Sequence, residues 1–519
     1  MSEQPSMIRR ALARLEGPFE RVFGAASPMH HLGGLAFFLF WIVAASGIYL
    51  YIFFETSPDG AFRSVEYLTR EQWYAGGVMR SLHRYASDGL MLTMTLHLLR
   101  ELALGRFKGF RAFSWVTGVP LIWLVFFSGI NGYWLVWDRL AQYVAIATSE
   151  WLDWLGVFGE PIARNFLHAG TLSERFFTLL VFLHLGVPLF LLAFTYVHVA
   201  RISRPKTSPP APLILGTIAA LLALALVYPA TSQGPAQLNT VAANVALDWF
   251  FLQLYPLLDT LGHGPVWAVA GGVTLLLVTL PWLGRRVREP VAVVDPANCN
   301  GCGRCFADCP FGAVVMQPHP DRPGHELAVV DPDLCGACGI CAGACPSSTP
   351  FRSVAELVTG IDMPQRPVHQ LRAELEHALD GLTGEAKVVV FGCDRAADVH
   401  PLRGPGVATV SLMCAAQLPP SFVDYALREG RADGVLVTGC RTSDCWFRFG
   451  ADWVEQRFAH AREPHLRTRA ARERVRVAWA GVTDLATLRT ELERYRADLR
   501  RLAPAAPHTE SKPRRIAHG

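Results

Sequence analysis

No cysteine occurs in the first 298 residues, and all 12 lie beyond that point. A Cys-x-x-Cys-His run is missing throughout, which excludes a covalently attached haem. Lysine and arginine are absent from 231–261, and the net charge of +4 is small and spread along the chain. No basic patch interleaved with aromatics occurs, so nucleic acid is not an expected partner. Residues 1–29 lack the apolar run and cleavage site of a signal peptide. They carry Arg9, Arg10, Arg14 and Arg21 opposite Ile8, Leu12, Leu15 and Phe19, the pattern of an amphipathic helix on the cytoplasmic membrane surface. The chain is 51% hydrophobic, an average that hides a membrane portion followed by a portion of ordinary soluble composition.

Apolar stretches of membrane length are predicted at about 33–54, 78–100, 113–136, 174–200, 211–230 and 262–283. Lys and Arg in the successive flanks number 4, 2, 4, 2, 3, 0 and 3, the last being Arg285, Arg286 and Arg288. The positive-inside rule then puts both termini in the cytoplasm of a multi-pass inner-membrane protein. His83 and His97 share the second stretch, and His184 and His198 the fourth, each pair fourteen residues apart. That interval is about four helical turns, so both imidazoles of a pair lie on one face, roughly 21 Å apart. A lone histidine on an apolar face is more often a satisfied core residue, but four in two matched pairs point to function. The orientation pairs His83 with His184 near the outer face and His97 with His198 near the cytoplasmic face.

Gly33 and Gly47, and again Gly118 and Gly132, repeat the fourteen-residue interval. Packing through small residues accounts for single glycines and not for a shared interval. Glycine lets a flat macrocycle approach the backbone, so the expectation is an all-α transmembrane bundle of about six spans holding two b haems. The segment 137–173, rich in Trp, is expected to form interfacial helices on the outer side, with His168 a loop residue.

The soluble portion opens with Cys299-x2-Cys302-x2-Cys305-x3-Cys309-Pro310, repeated as Cys335-x2-Cys338-x2-Cys341-x3-Cys345-Pro346. This is the bacterial two-cluster ferredoxin signature, in which the fourth cysteine of each run serves the other cluster. The expected ligands are Cys299, Cys302, Cys305 and Cys345 for one [4Fe–4S] centre and Cys335, Cys338, Cys341 and Cys309 for the second. Structural zinc is the competing assignment for Cys-x-x-Cys pairs. After a connecting helical segment, three buried strands are predicted at 387–391, 407–410 and 434–437, in a parallel α/β sheet. Cys393, Cys414 and Cys440 each stand just past a strand, with Cys445 close behind. Buried free cysteines are usually inert packing, but four converging on one sheet edge favour a cluster, most simply [2Fe–2S].

Residues from about 30 to 283 resemble cytochrome b of the bc-type quinol complexes. The likeness rests on His31-Leu32-Gly33-Gly34-Leu35, Arg80 with His83 and Arg84, His97, Trp115-Val116-Thr117-Gly118, Gly132-Tyr133, Trp137-Asp138, Thr171-Leu172 and Arg175-Phe176-Phe177 before His184. The resemblance implies that Arg80 and Arg84 pair with haem propionates, with Arg100 a further candidate. It also implies a homodimer. Leu247-Asp248-Trp249-Phe250-Phe251 resembles the family's Pro-Glu-Trp-Tyr-Phe quinol-site element, with leucine, aspartate and phenylalanine replacing proline, glutamate and tyrosine. Asp248, Trp249 and Phe250 are therefore candidate quinone-site residues, and an interfacial helix residue beside a Trp anchor is the competing reading of Asp248.

Residues of about 386–500 resemble the delta subunit of methyl-viologen-reducing hydrogenases, on Phe391-Gly392-Cys393, Met413-Cys414, the run Ala432 to Cys440, and Asp444-Cys445. Where that family has a further cysteine, this chain reads Asp394-Arg395-Ala396-Ala397, leaving four cysteines for one cluster. The resemblance implies docking with a soluble flavoprotein on the cytoplasmic face.

The expected organisation is an N-terminal helix (1–29), a cytochrome b-like membrane domain (30–284), a ferredoxin domain (291–351), a connecting segment (352–385), a delta-subunit-like domain (386–502) and a disordered tail (503–519). The function expected is electron transfer between a cytoplasmic flavoprotein, itself fed by NAD(P)H, and membrane quinone in a respiratory chain. Reverse transport from quinol, and a relay and membrane anchor without a quinone site, are the alternatives.

Overall fold

The computed structural model describes residues 7–167, 170–200, 207–240, 244–248, 250–283, 289–352, 357–467, 472–482 and 484–502. His168, Trp249, Arg285, Arg286, Arg288, the tail from 503 and the side chains of Arg9 and Arg10 lie outside the described residues. Two compact units are formed, residues 16–200 with 205–286, and residues 287–519 with 1–15 and 201–204.

The first unit is helical. Helix α1 (Met7–Phe23) is amphipathic, with Met7, Ile8, Leu15, Phe19 and Val22 exposed. Next come α2 (Leu32–Phe53), α3 (Pro58–Arg70), α4 (Val78–Ala103), α5 (Ala112–Val136), α6 (Arg139–Asp153), α7 (Glu174–Val199), α8 (Ala211–Val227), α9 (Leu254–Leu261) and α10 (His263–Thr279). Six of these, α2, α4, α5, α7, α8 and α10, coincide with the predicted apolar stretches. Among the described residues four helical segments are long and apolar enough to cross a membrane: Leu32–Phe53, Gly109–Val136, Glu174–Val199 and His263–Trp282. Helix α4 is 26 residues long but carries Arg80, Arg84, Asp88, Arg100 and Glu101, and α8 has only 17 residues.

Helix α2 packs on α4 and α5 on α7. Leu35, Leu39 and Phe40 of α2 meet Ala86 and Leu90 of α4, Leu121 and Val125 of α5 and Leu191 of α7 in one core. The outward residues stay apolar, Phe182 at 70% and Leu189 at 69% exposed, as a lipid-facing surface requires. The loop after α8 is stitched to the α5–α6 corner. Asp138 caps α6 through Ala141 N at 2.8 Å and accepts from Gln233 N at 2.8 Å, and Arg139 N donates to Gly234 O at 3.0 Å. The 137–173 segment contains α6 and a short 3-10 turn, Ile162–Phe166.

In the second unit β1 (Val293–Val294), helix α11 (Arg304–Asp308), β2 (Val314–Pro318), β3 (Glu326–Val330), α12 (Ile340–Ala344) and β4 (Ile361–Asp362) form a compact ferredoxin-type fold. Strand β1 pairs antiparallel with β4 and β2 with β3. Helix α13 (Val368–Asp380) leads to β5 (Val388–Cys393), β6 (Val407–Leu412), α14 (Pro420–Leu427), β7 (Gly434–Gly439), α15 (Gly450–Phe458), β8 (Val475–Trp479) and α16 (Leu485–Arg501). The last four strands make a parallel sheet in the order β6-β5-β7-β8. Val388, Val390 and Leu436 pack beneath Leu488, Leu492 and Tyr495 of α16.

Two features depart from the sequence reading. The connecting segment is not wholly helical, because β4 returns to close the ferredoxin-type sheet on β1. A fourth strand, β8, joins the three predicted. Its Val-Arg-Val-Ala-Trp run is interrupted by Arg476, whose guanidinium reaches Glu491 at 2.7 Å and Asp498 at 2.9 Å on α16.

Candidate metal centres

His83 and His184 face each other with ring centres 6.2 Å apart. Two imidazoles sharing one metal at about 2 Å per nitrogen put their ring centres roughly this far apart. Each ring is oriented by backbone: His83 Nδ1 donates to Val43 O at 2.9 Å and His184 Nδ1 to Ser128 O at 3.0 Å. With the proton held on Nδ1, Nε2 is the free ligand atom in both. His198 is close enough to His97 for the two to interact by charge, and its Nδ1 lies 3.3 Å from Thr117 Oγ1.

The four glycines meet these rings one to one. A Cβ on Gly47 would stand 2.9 Å from His83 Cε1, on Gly132 2.8 Å from His184 Cε1, on Gly118 3.0 Å from His198 Cε1 and on Gly33 3.5 Å from His97 Cε1. At Gly47, Gly132 and Gly118 the missing Cβ leaves room for an imidazole edge, while at Gly33 a Cβ would make ordinary contact. The geometry at His83 and His184 fits a bis-histidine haem.

Arg80 donates to Thr69 Oγ1 at 2.5 Å and Ser232 Oγ at 2.8 Å, with Glu66 3.6 Å away. Arg84 is shared between the carboxylates of Asp88 and Asp248 and lies 5.0 Å over the Tyr133 ring. Arg100 Nε donates to Glu16 Oε1 at 2.7 Å, tying α4 to α1. Asp248 is 9% exposed. Its Oδ1 accepts from Phe250 N at 2.5 Å and Phe251 N at 2.6 Å, and its Oδ2 from Tyr133 Oη at 3.1 Å. Burial works to raise its pKa, but the Arg84 guanidinium and the two amides outweigh it and hold the carboxyl below its ordinary value. Phe250 is half-buried beside it. The sequence reading missed Asp88 and Tyr133. An aspartate four residues beyond Arg84 inside an apolar stretch was the available signal for the first.

The thiols of the ferredoxin-type fold gather in two interleaved sets. Burial first, then Cys345, Cys302 and Cys299, push the Cys305 thiol up to about 12. Cys338 is raised by burial and by Cys309 and Cys335, and Cys341 by burial and by Cys338, Cys335 and Cys309. A cavity is lined by Cys309, Cys335, Cys338 and Cys341 with Phe311 and Met363. Thiols that raise one another this way suit a multiply charged cation, which takes them as thiolates.

The last four cysteines meet at the carboxyl edge of the parallel sheet. Cys440 is in hydrogen-bonding contact with Cys393 and Cys445, and Cys414 and Cys445 both abut Gly450 at the start of α15. Cys393, Cys414 and Cys440 are buried and Cys445 is half-buried.

The histidines and cysteines brought together here are side chains of the kinds that ligate metals. The protein is an integral membrane electron-transfer subunit. It carries a cytochrome b/b6 domain, a 4Fe–4S dicluster domain and a hydrogenase delta-subunit-like domain. Residues 22–205 match Cytochrome b/b6/petB, residues 298–349 the 4Fe-4S dicluster domain, and residues 388–503 Methyl-viologen-reducing hydrogenase, delta subunit. A solved structure titled "Hyperthermophilic respiratory Complex III" is similar at 20% identity and a TM-score of 0.41, over 53% of this chain and 81% of that one.

Proposed function

We propose that this chain passes electrons between a soluble flavoprotein on the cytoplasmic side, itself fed by NAD(P)H, and membrane quinone. Two b haems, two [4Fe–4S] clusters and one [2Fe–2S] cluster, when bound, supply one-electron transfer. His83 and His184 hold the outer haem, His97 and His198 the inner one, and Arg80, Arg84 and Arg100 offer cations to propionates. Cys299, Cys302, Cys305 and Cys345 hold one [4Fe–4S] cluster, Cys309, Cys335, Cys338 and Cys341 the other, and Cys393, Cys414, Cys440 and Cys445 the [2Fe–2S] cluster. Six helices span the membrane, with both termini and the iron–sulfur domains in the cytoplasm. Outward electron flow is favoured, since an electron leaving a negative interior gains about 2.3 kcal/mol per 100 mV crossed.

The observation that carries the quinone assignment is the buried Asp248 carboxylate, held between Arg84 and Tyr133 where α5 meets the loop before α9. A carboxylate there can take or give the quinone proton. A second reading, a relay without a quinone site, draws on the same contacts, because Arg84, Tyr133 and two amides already engage that carboxylate. Asp248→Asn separates them. With both haems still bound, quinone-coupled turnover should fall on the order of 10²-fold if Asp248 moves the proton. Full turnover in that variant would leave the relay.

A further inference from the structure

Backbone forms the wall between the second dicluster site and the C-terminal site. A Cβ on Gly339 would stand 3.0 Å from Gln417 Cγ, and one on Gly343 2.8 Å from the Gln417 carbonyl carbon. Ala416 and Gln417 closely follow Cys414, and Gly339 and Gly343 flank Cys341. The two sets of thiols thus share one wall, and Cys414 and Cys338 sense each other's charge.

A guanidinium is buried in the same place. Arg457 of α15 is 1% exposed, donates Nη1 to Ala416 O at 2.8 Å and donates Nη2 to Asp308 Oδ2 at 2.6 Å. Its Nε has no hydrogen-bond partner among the described residues. Asp308, immediately before Cys309, is also 1% exposed. Its other oxygen takes Arg462, whose guanidinium lies 3.6 Å over the Trp453 ring, and Trp453 Nε1 donates to Asp308 O at 3.0 Å. Two guanidiniums against one carboxylate leave a net positive charge, and around the buried Arg457 and Asp308 the field of a charge is poorly screened. Apolar side chains would glue the two domains together at least as well as a buried ionic network, so adhesion alone does not explain this one.

We propose that Arg457, positioned by Asp308, sets the reduction potentials of the two centres that share this wall, making both easier to reduce. The cation opposes the charge of bound thiolates, and net charge near a cluster is one of the levers on its potential. One-electron reduction adds one negative charge, and the guanidinium, protonated throughout, neither gains nor loses a proton. This inference rests on the reading that these cysteines hold iron–sulfur clusters.

The test is an EPR-monitored redox titration of the intact, cluster-loaded chain, with iron and sulfide content measured on the same samples. Asp308→Asn keeps the shape and removes the anion, so both potentials rise. Arg462→Gln, at the rim of the network, removes a cation, so both fall. Arg457→Met lowers the reduced-to-oxidised ratio at fixed potential about tenfold, equivalent to ~59 mV for one electron, and Arg457→Lys stays near the parent value. If Arg457→Met loses its clusters, the opposite signs of Asp308→Asn and Arg462→Gln decide. Full cluster content with unmoved potentials, or shifts of one sign in both, overturns the tuning role. A parent chain lacking either cluster overturns the ligand assignment instead.

Discussion

The four glycine–histidine pairs leave unequal gaps, and the differences are testable residue by residue. A methyl group on Gly132 or Gly47 would press on the His184 or His83 ring at 2.8 or 2.9 Å, whereas at Gly33 the distance is an ordinary 3.5 Å. Displacing a ring in a packed bundle costs about 1–3 kcal/mol. Gly132→Ala and Gly47→Ala should therefore reduce haem per polypeptide in a pyridine haemochrome assay, while Gly33→Ala retains it. Equal retention in all three would show that the imidazoles do not need those gaps. The histidines and glycines were legible in the sequence because spacing alone exposes them. The carbonyls of Val43 and Ser128 that fix the ring tautomers were not, since every residue carries a carbonyl and only the fold decides where it points. Tyr133 was quoted only as part of a motif, and its bond to Asp248 joins residues far apart in the chain.

Among the elements, the thiols around α11 and α12 are interleaved. Cys345 stands four residues after Cys341, yet it is the charge neighbour of Cys305. Cys345→Ser should remove the EPR signal of the centre built on Cys299, Cys302 and Cys305 and leave the other [4Fe–4S] signal standing. Loss of the signal belonging to Cys335, Cys338 and Cys341 would mean the crossing is wrong. The cysteine runs announced this fold, and the valine-rich runs announced β5, β6 and β7. Strand β8 escaped because a charged residue in a short run looks like loop until α16 supplies Glu491 and Asp498 for Arg476. Strand β4 escaped because two residues carry no period, and its partner β1 lies far upstream.

At the scale of the whole molecule, one unit is helical, with four segments long and apolar enough to cross a membrane among the described residues, and the other carries the parallel sheet. The paired histidines of the first unit and the clustered cysteines of the second are the candidate metal ligands of each. These ligand types suit electron transfer, and the contacts of Asp248 with Arg84 and Tyr133 make it the candidate for proton chemistry. The most direct test is stopped-flow mixing of the pre-reduced, haem-loaded protein with a soluble quinone analogue, following the haem absorption band. Prompt reoxidation of both haems is the predicted result and places quinone chemistry within this chain. Haems that remain reduced until another membrane subunit is added would contradict it and remove Asp248 and Phe250 from any quinone site.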